Sequence, residues 1–405
     1  MIKYVSTLEP KDCCGCEACI QICGHHALKM EENEEGFLYP KIDMDACVEC
    51  HLCEKVCPME NMEKTLNEKG KALAIQYKKT EDLALASSGG GFIAIASLII
   101  GQGGVVYGAA FDKNMELNHV RVDKTSELKQ LQGSKYVQSN IGQTFKNIKR
   151  ELCEGKEVYF TGTPCQVAGL KLFLMKTYDN LLTSDLVCHG IPSQKIFRNT
   201  FEHMERKYDA KITDYSFRDK TIRGWACSSS SSYKRNTDGK SFKVKYSKDM
   251  EAYFEAFIAG DLMRMNCYYC PFARNERVGD ITLADFWGVR KIFPDFHDIY
   301  RGVSLILLNT GKGKRLFDNI RNTFYVRTVD LAVASASNRN LHVPTPLTDG
   351  RKTSYSQAFN DYKDFLDTYY KKNYFVSKMK IEIEAFVRRH HTLFYLISAL
   401  KHLKK

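Results

Sequence analysis

From Ala72 to about residue 345 the chain alternates two kinds of apolar pattern. Short runs such as KALAIQY, GVVYGAAF, EVYFTG and LLTSDLVCHG have the length and composition of buried strands, and helical stretches follow Ser88, Gly142 and Thr163. That alternation predicts an α/β core whose strands are at least partly parallel. Residues 228–247 (SSSSSYKRNTDGKSFKVKYS) predict a hairpin around Asp238-Gly239, and with it a smaller β-rich insertion. Residues 1 to about 60 lack long periodic segments, and 61–70 (NMEKTLNEKG) form a polar connector. From about residue 355 the chain turns aromatic, basic and helical. The expected class is α+β.

Charge and cysteine content change this picture. The 405 residues carry a net charge of +11, but residues 1–70 hold 7 Lys/Arg against 14 Asp/Glu, and residues 371–405 hold 9 against 2. A uniformly basic nucleic-acid binder would not have so acidic a front, and no zinc-finger or RNA-binding signature accompanies the charge, so no nucleic-acid partner is expected. The longest apolar run, Phe92–Ile100, falls far short of the ~20 residues of a membrane span. No apolar signal core precedes the first of the 15 cysteines, which favours a cytoplasmic chain whose thiols stay reduced and hold metal.

Nine of those cysteines lie between Cys13 and Cys57. Cys13-x2-Cys16-x2-Cys19-x3-Cys23 recurs as Cys47-x2-Cys50-x2-Cys53-x3-Cys57, followed by Pro58. Triplets at this spacing wrap a 4Fe–4S cube and take the fourth thiolate from the other copy. Cys13, Cys16, Cys19 and Cys57 are therefore the expected ligands of one cluster, and Cys47, Cys50, Cys53 and Cys23 of a second. Gly24 stands where a proline usually follows Cys23, which removes no ligand. Four-cysteine zinc sites use separated Cys-x2-Cys pairs instead. Cys14 reads as a non-ligand squeezed beside Cys13. Two clusters make a wire, so the remaining residues are expected to carry its chemical terminus.

Several segments are candidates for that end. Ser87-Ser88-Gly89-Gly90-Gly91 runs into the apolar helix FIAIASLII, a combination suited to a diphosphate at a helix N-terminus and equally to an ordinary turn. GSKYVQS (133–139) gathers a cation, hydroxyls, an amide and an aromatic ring. TGTPCQ (161–166) and VCHG (187–190) each end a strand, where open α/β sheets collect ligands. Cys267-Tyr-Tyr-Cys270-Pro271 and DITLADFWG (280–288) follow.

Taken in order, SSGGGF, YGAAF, GSKYVQS, TGTPCQVAGL, DLVCHGIPS, FRDK, CYYCPF, DITLADFWG and GVSLILLNT closely resemble the coenzyme F420 hydrogenase/dehydrogenase beta-subunit family, preceded by a two-cluster ferredoxin, over roughly residues 3–310. The resemblance implies a bacterial-type ferredoxin domain over 1–62 and an α/β flavin-binding domain over 71–345; the basic helical tail over 350–405 lies outside it and is read from composition alone. It implies FAD, with Ser88, Gly89, Gly90, Ser134, Lys135, Tyr136, Gln138, Thr161, Thr163 and Gln166 as its site. Arg218 and Lys220 of FRDK are basic groups available to an anionic cofactor or substrate. It also implies that Cys165, Cys188, Cys267 and Cys270 hold a third 4Fe–4S cluster. A Cys165–His189 nucleophilic pair and four inert buried cysteines are the competing readings, and His189 is a candidate proton donor. Cys14, Cys153 and Cys227 have no assigned role.

The expected activity is that of an FAD-dependent iron–sulfur oxidoreductase. It would pass electrons between a small-molecule redox substrate, deazaflavin-like or otherwise organic, and a ferredoxin or other redox partner protein. The alternative is an electron-transfer subunit of a larger redox complex with no substrate of its own. Three clusters and an FAD diphosphate would also bring the +11 of the bare chain to about +3.

Overall fold

In the computed structural model, residues 2–370 are described, together with Met379, Ile383 and Phe386. The segment FVRRHHTLFYLISALKHLKK lies, apart from Phe386, outside the described residues.

The cysteine-rich front contributes a hairpin of β1 (Leu28–Glu32) and β2 (Leu38–Ile42). The strands β3 (Lys71–Tyr77), β4 (Val105–Phe111), β5 (Leu117–Val122), β6 (Val158–Thr161) and β7 (Leu181–Leu186) follow. Next come β8 (Ala210–Ser216), β9 (Ser230–Arg235) and β10 (Ser241–Lys245), then β11 (Ile281–Asp285), β12 (Ser304–Leu308) and β13 (Phe324–Thr328). Eight of them form one mixed sheet in the order β13-β3-β12-β11-β7-β6-β4-β5. Its centre is parallel, β11 with β7, β7 with β6 and β6 with β4. The flanks β5, β12, β3 and β13 pair antiparallel.

Parallel neighbours need crossovers: Thr144–Cys153 lies between β4 and β6, Pro164–Leu174 between β6 and β7, and the long segment that carries β8–β10 between β7 and β11, while the helix Gly91–Gly101 joins β3 to β4. This last helix is apolar nearly all round, as a helix covered on most sides must be. Its Ile93, Ile95 and Ile99 pack with Leu73, Ile75, Val106 and Ile306 of the sheet, each such side chain contributing roughly 1.5–3 kcal/mol when buried. The expected hairpin joins β9 to β10, and β9 pairs on its other side with β8 in a separate three-stranded sheet.

The front shares a core with the rest of the chain. Cys14, Cys16, Ala18 and Val56 pack with Phe145, Val167, Leu170 and Phe173 in one apolar cluster. Glu17 accepts hydrogen bonds from the backbone N–H groups of Ile141 and Gly142, both at 2.9 Å, and Gln21 accepts from that of Phe145 at 2.9 Å. Arg351 forms a two-pronged pair with Glu35 at 2.6 Å. Among the described residues no helix is long and apolar enough to cross a membrane.

Candidate functional site

The two front motifs repeat in backbone shape as well as in sequence. Gly15 and Glu17 are left-handed, with φ of +70° and +61°, and so are their counterparts Glu49 and His51, at +52° and +57°. Left-handed residues other than glycine are costly, and here they bend each loop around its thiols. One hollow is lined by Cys13, Cys16, Cys19 and Cys57, together with Cys14. The other, of about 180 Å³, is lined by Cys23, Cys47, Cys50 and Cys53. The chain thus brings each crossed set of expected ligands to one hollow. Among the described residues no three His, Cys, Asp or Glu side chains close on a single ion. A cube spreads its thiolates over four irons rather than converging them on one.

The second thiol group is assembled by the fold. Cys165 follows Pro164 in the first turn of a helix whose N-cap is a reciprocal Thr163–Gln166 capping box. Cys188 follows β7, and Cys267 and Cys270 flank a short turn. All four pKa values are raised, that of Cys165 by its hydrogen bond with Cys14 and by burial, and the others by burial and the neighbouring thiols, with Cys188 pushed up to about 12 and Cys270 to about 11. Buried thiols packed this closely stay protonated unless a cation takes the charge of their thiolates, so the donor set suits a cluster. Cys14 bridges the two groups, its thiol interacting with those of Cys16 and Cys165.

Beside Cys188 lies a cavity of about 300 Å³, at the lower end of the roughly 300–1,000 Å³ usual for ligand pockets. It opens over the C-terminal ends of the parallel strands, with Thr161, Leu186 and Asp285 in its wall. Ser88, Gly90, Ser134, Lys135, Tyr136, Gln138, Thr161, Thr163 and Gln166 all line it, as does His189. Gly89 does not. A Cβ there would lie 2.3 Å from the Ile75 carbonyl oxygen and 2.4 Å from the Ser304 nitrogen, so this glycine lets the loop lie against β3 and β12.

Two helix N-termini, at Gly91 and Pro164, meet the cavity. Lys135 donates to the carbonyls of Gln130 (3.0 Å) and Gln132 (2.8 Å), and desolvation pushes its ammonium down to about 7. His189 has Nδ1 3.3 Å from the Thr345 hydroxyl, while its buried Nε2 has no partner. An orphaned polar atom, helix ends and a cation around one apolar hollow fit a large anionic cofactor such as FAD.

The cavity is also lined by Ser139 and Asp285, which lie in the candidate segments but carry no expected role, and by His119, which lies in none of them. His119 lines the cavity and stacks on Phe160. Its Nε2 faces the Thr161 carbonyl at 3.1 Å and so carries the proton, leaving Nδ1 to accept from the Ser139 hydroxyl at 2.9 Å. Burial pushes His119 down to about 4. Asp285 accepts from the indole N–H of Trp225 at 2.7 Å and pairs with Arg218, which lies against Trp287. Lys220 does not itself line the cavity; it donates to the carbonyl of Ser88, which does, at 2.7 Å, pinning the glycine loop. The DITLADFWG segment could have pointed to Asp285, whereas no local signal marked His119.

Comparison with known families now decides the relationship. Residues 12–61 match the model for the 4Fe-4S dicluster domain, and residues 155–333 match that for the C terminus of the coenzyme F420 hydrogenase/dehydrogenase beta subunit. The chain carries the C-terminal domain of the coenzyme F420 hydrogenase/dehydrogenase beta subunit over 155–333, behind an iron–sulfur dicluster domain over 12–61. It is thus a redox protein of electron transfer, in an oxidoreductase family. No curated protein matches it. A solved F420-reducing nickel–iron hydrogenase complex from Methanosarcina barkeri contains a chain with 15% identity and a TM-score of 0.44, over 74% of this chain and 96% of that one. That is a loose likeness.

Proposed function

We propose that this beta-subunit relative is an FAD-dependent iron–sulfur oxidoreductase. Its cavity would hold the flavin, and Cys165, Cys188, Cys267 and Cys270 a third 4Fe–4S cluster. One observation carries the reading: Cys188 belongs to the wall of the cavity and to the four-thiol group at once. FAD, when bound, exchanges two electrons with an organic substrate and single electrons with iron–sulfur clusters.

The chain's own residues do the rest. The helix ends at Gly91 and Pro164 and the Lys135 ammonium are the groups that would hold the FAD diphosphate. His189 Nε2 offers a proton site on the wall, and the substrate is a deazaflavin-like or other organic two-electron carrier. At the other end Cys50 is exposed, and Val48 (57% exposed) lines the same hollow, a contact surface for a redox partner protein. The domain division 1–62, 71–345 and 350–405 belongs to the same proposal.

The test is anaerobic purification with iron, sulfide and flavin counted per chain. About twelve irons and one FAD are expected. About eight irons with FAD would remove the third cluster, and no flavin after reconstitution would remove the enzyme.

A further inference from the structure

Arg264 is 0% exposed, wedged between the front hairpin and the cavity. Its Nε donates to the Cys13 carbonyl at 2.8 Å, and its Nη2 donates to the Cys13 Sγ at 3.4 Å and the Leu38 carbonyl at 2.9 Å. Nη1 donates to the Gln138 Oε1 at 3.2 Å, and the guanidinium lies 4.1 Å from the Tyr39 ring centroid. Its backbone N–H donates to the Ile191 carbonyl, and its own carbonyl accepts from the N–H of Cys267 at 2.8 Å. One side chain therefore touches a front thiol and a wall residue of the cavity, while its backbone holds a cysteine of the inner group. Among the described residues no carboxylate forms an ion pair with it; the groups that feel this buried cation are the thiols of Cys13, Cys14 and Cys267, the Tyr39 phenol and, beyond ion-pair distance, the Glu17 carboxylate.

The internal repeat makes the asymmetry visible. Gly15 corresponds to Glu49, and both are left-handed, so the backbone alone does not require glycine at this place in the loop. At Gly15 a Cβ would lie 2.4 Å from Gln138 Nε2 and 2.9 Å from Arg264 Nη1. The first copy gives up its side chain to admit the guanidinium. Among the described residues no guanidinium makes the corresponding contact with Cys47.

We propose that Arg264 is a positioning residue that sets the order of reduction in the front pair. By hydrogen-bonding the Cys13 thiolate and adding a buried positive charge, it favours reduction at Cys13, Cys16, Cys19 and Cys57 over reduction at Cys23, Cys47, Cys50 and Cys53. The step adds one electron, derived from the organic donor at the cavity, and one negative charge. No bond breaks and the guanidinium keeps its proton. The proposal rests on the reading that these thiols hold clusters.

The experiment is an anaerobic redox titration of the holoprotein followed by electron paramagnetic resonance, with R264Q, R264K and C50S beside the unaltered chain. R264Q should lower the reduced-to-oxidised ratio of one front cluster about tenfold at a fixed potential, a shift of about 59 mV for one electron, with iron and flavin content unchanged. R264K, which keeps the charge and loses the fork, should shift it less, and the other front cluster should stay put. Equal movement of both front clusters, or of neither, overturns the proposal. If R264Q does not assemble, the unaltered protein decides, since the front cluster that survives in C50S must be the one of higher potential, and coincident potentials overturn the proposal. Absence of front iron in the unaltered chain would defeat the functional reading itself, and the iron count detects that before any potential is measured.

Discussion

The front thiols and the inner thiols are the same chemical group in opposite settings. Each front set comes mostly from one short loop, and the outer of the two hollows reaches solvent at Cys50. The inner group is gathered from a helix start, a strand end and a turn spread between Cys165 and Cys270 in sequence, and it lies inside the fold, against Cys14 on one side and the cavity at Cys188 on the other. A spacing motif can build a site that faces outward. A site that must touch a buried cavity needs the whole fold to build it.

The largest expected effect comes from removing one thiol on each side. Cys165→Ser should cost about four irons and leave the front pair intact, whereas Cys50→Ser should cost about four irons with flavin content unchanged, both read by iron and flavin analysis. Iron loss at the inner group when Cys50 is changed would break the comparison, because it would mean the two sites do not assemble independently. Activity lost with all iron retained in Cys165→Ser would instead favour a nucleophilic cysteine.

Lys135→Met tests the cavity side. Loss of a charge-assisted hydrogen bond of about 1.5–3 kcal/mol should weaken FAD binding about ten- to a hundredfold, measured by titration of the apoprotein. Because the ammonium of the cofactor-free chain titrates at about 7, unaltered affinity should fall as pH rises above that value, and the Met variant should lack that dependence. The smallest effect concerns His119, held at about 4 in the folded chain against an ordinary 6.5. Below pH 6.5 the unfolded chain takes a proton that the folded chain refuses until about pH 4. Stability from this group is therefore complete above 6.5 and falls by at most about 1.4 kcal/mol per pH unit down to the folded value. His119→Gln, which keeps a donor for Thr161, should remove that slope in urea unfolding.

Legibility in the sequence followed the same division. The double cysteine triplet announced its crossed hollows because its spacing is local, and the alternating apolar runs announced the parallel centre of the sheet. Most of the cavity wall followed from motifs at strand ends. Gly89 misled because glycine serves close packing against β3 and β12 as readily as it serves a ligand. His119 and Arg264 were invisible, since each owes its setting to partners far away in the chain. Cys14 looked idle beside Cys13 because its neighbour Cys165 arrives only through the fold.

The clamp of Glu17 on Ile141 and Gly142, with Gln21 on Phe145 and Arg351 on Glu35, has a mechanical consequence. A tethered carrier domain that swings between donor and acceptor slows when the solvent thickens. Here the carrier is locked at folding, so internal electron passage should be indifferent to viscosity, and only the meeting with an outside partner should feel it.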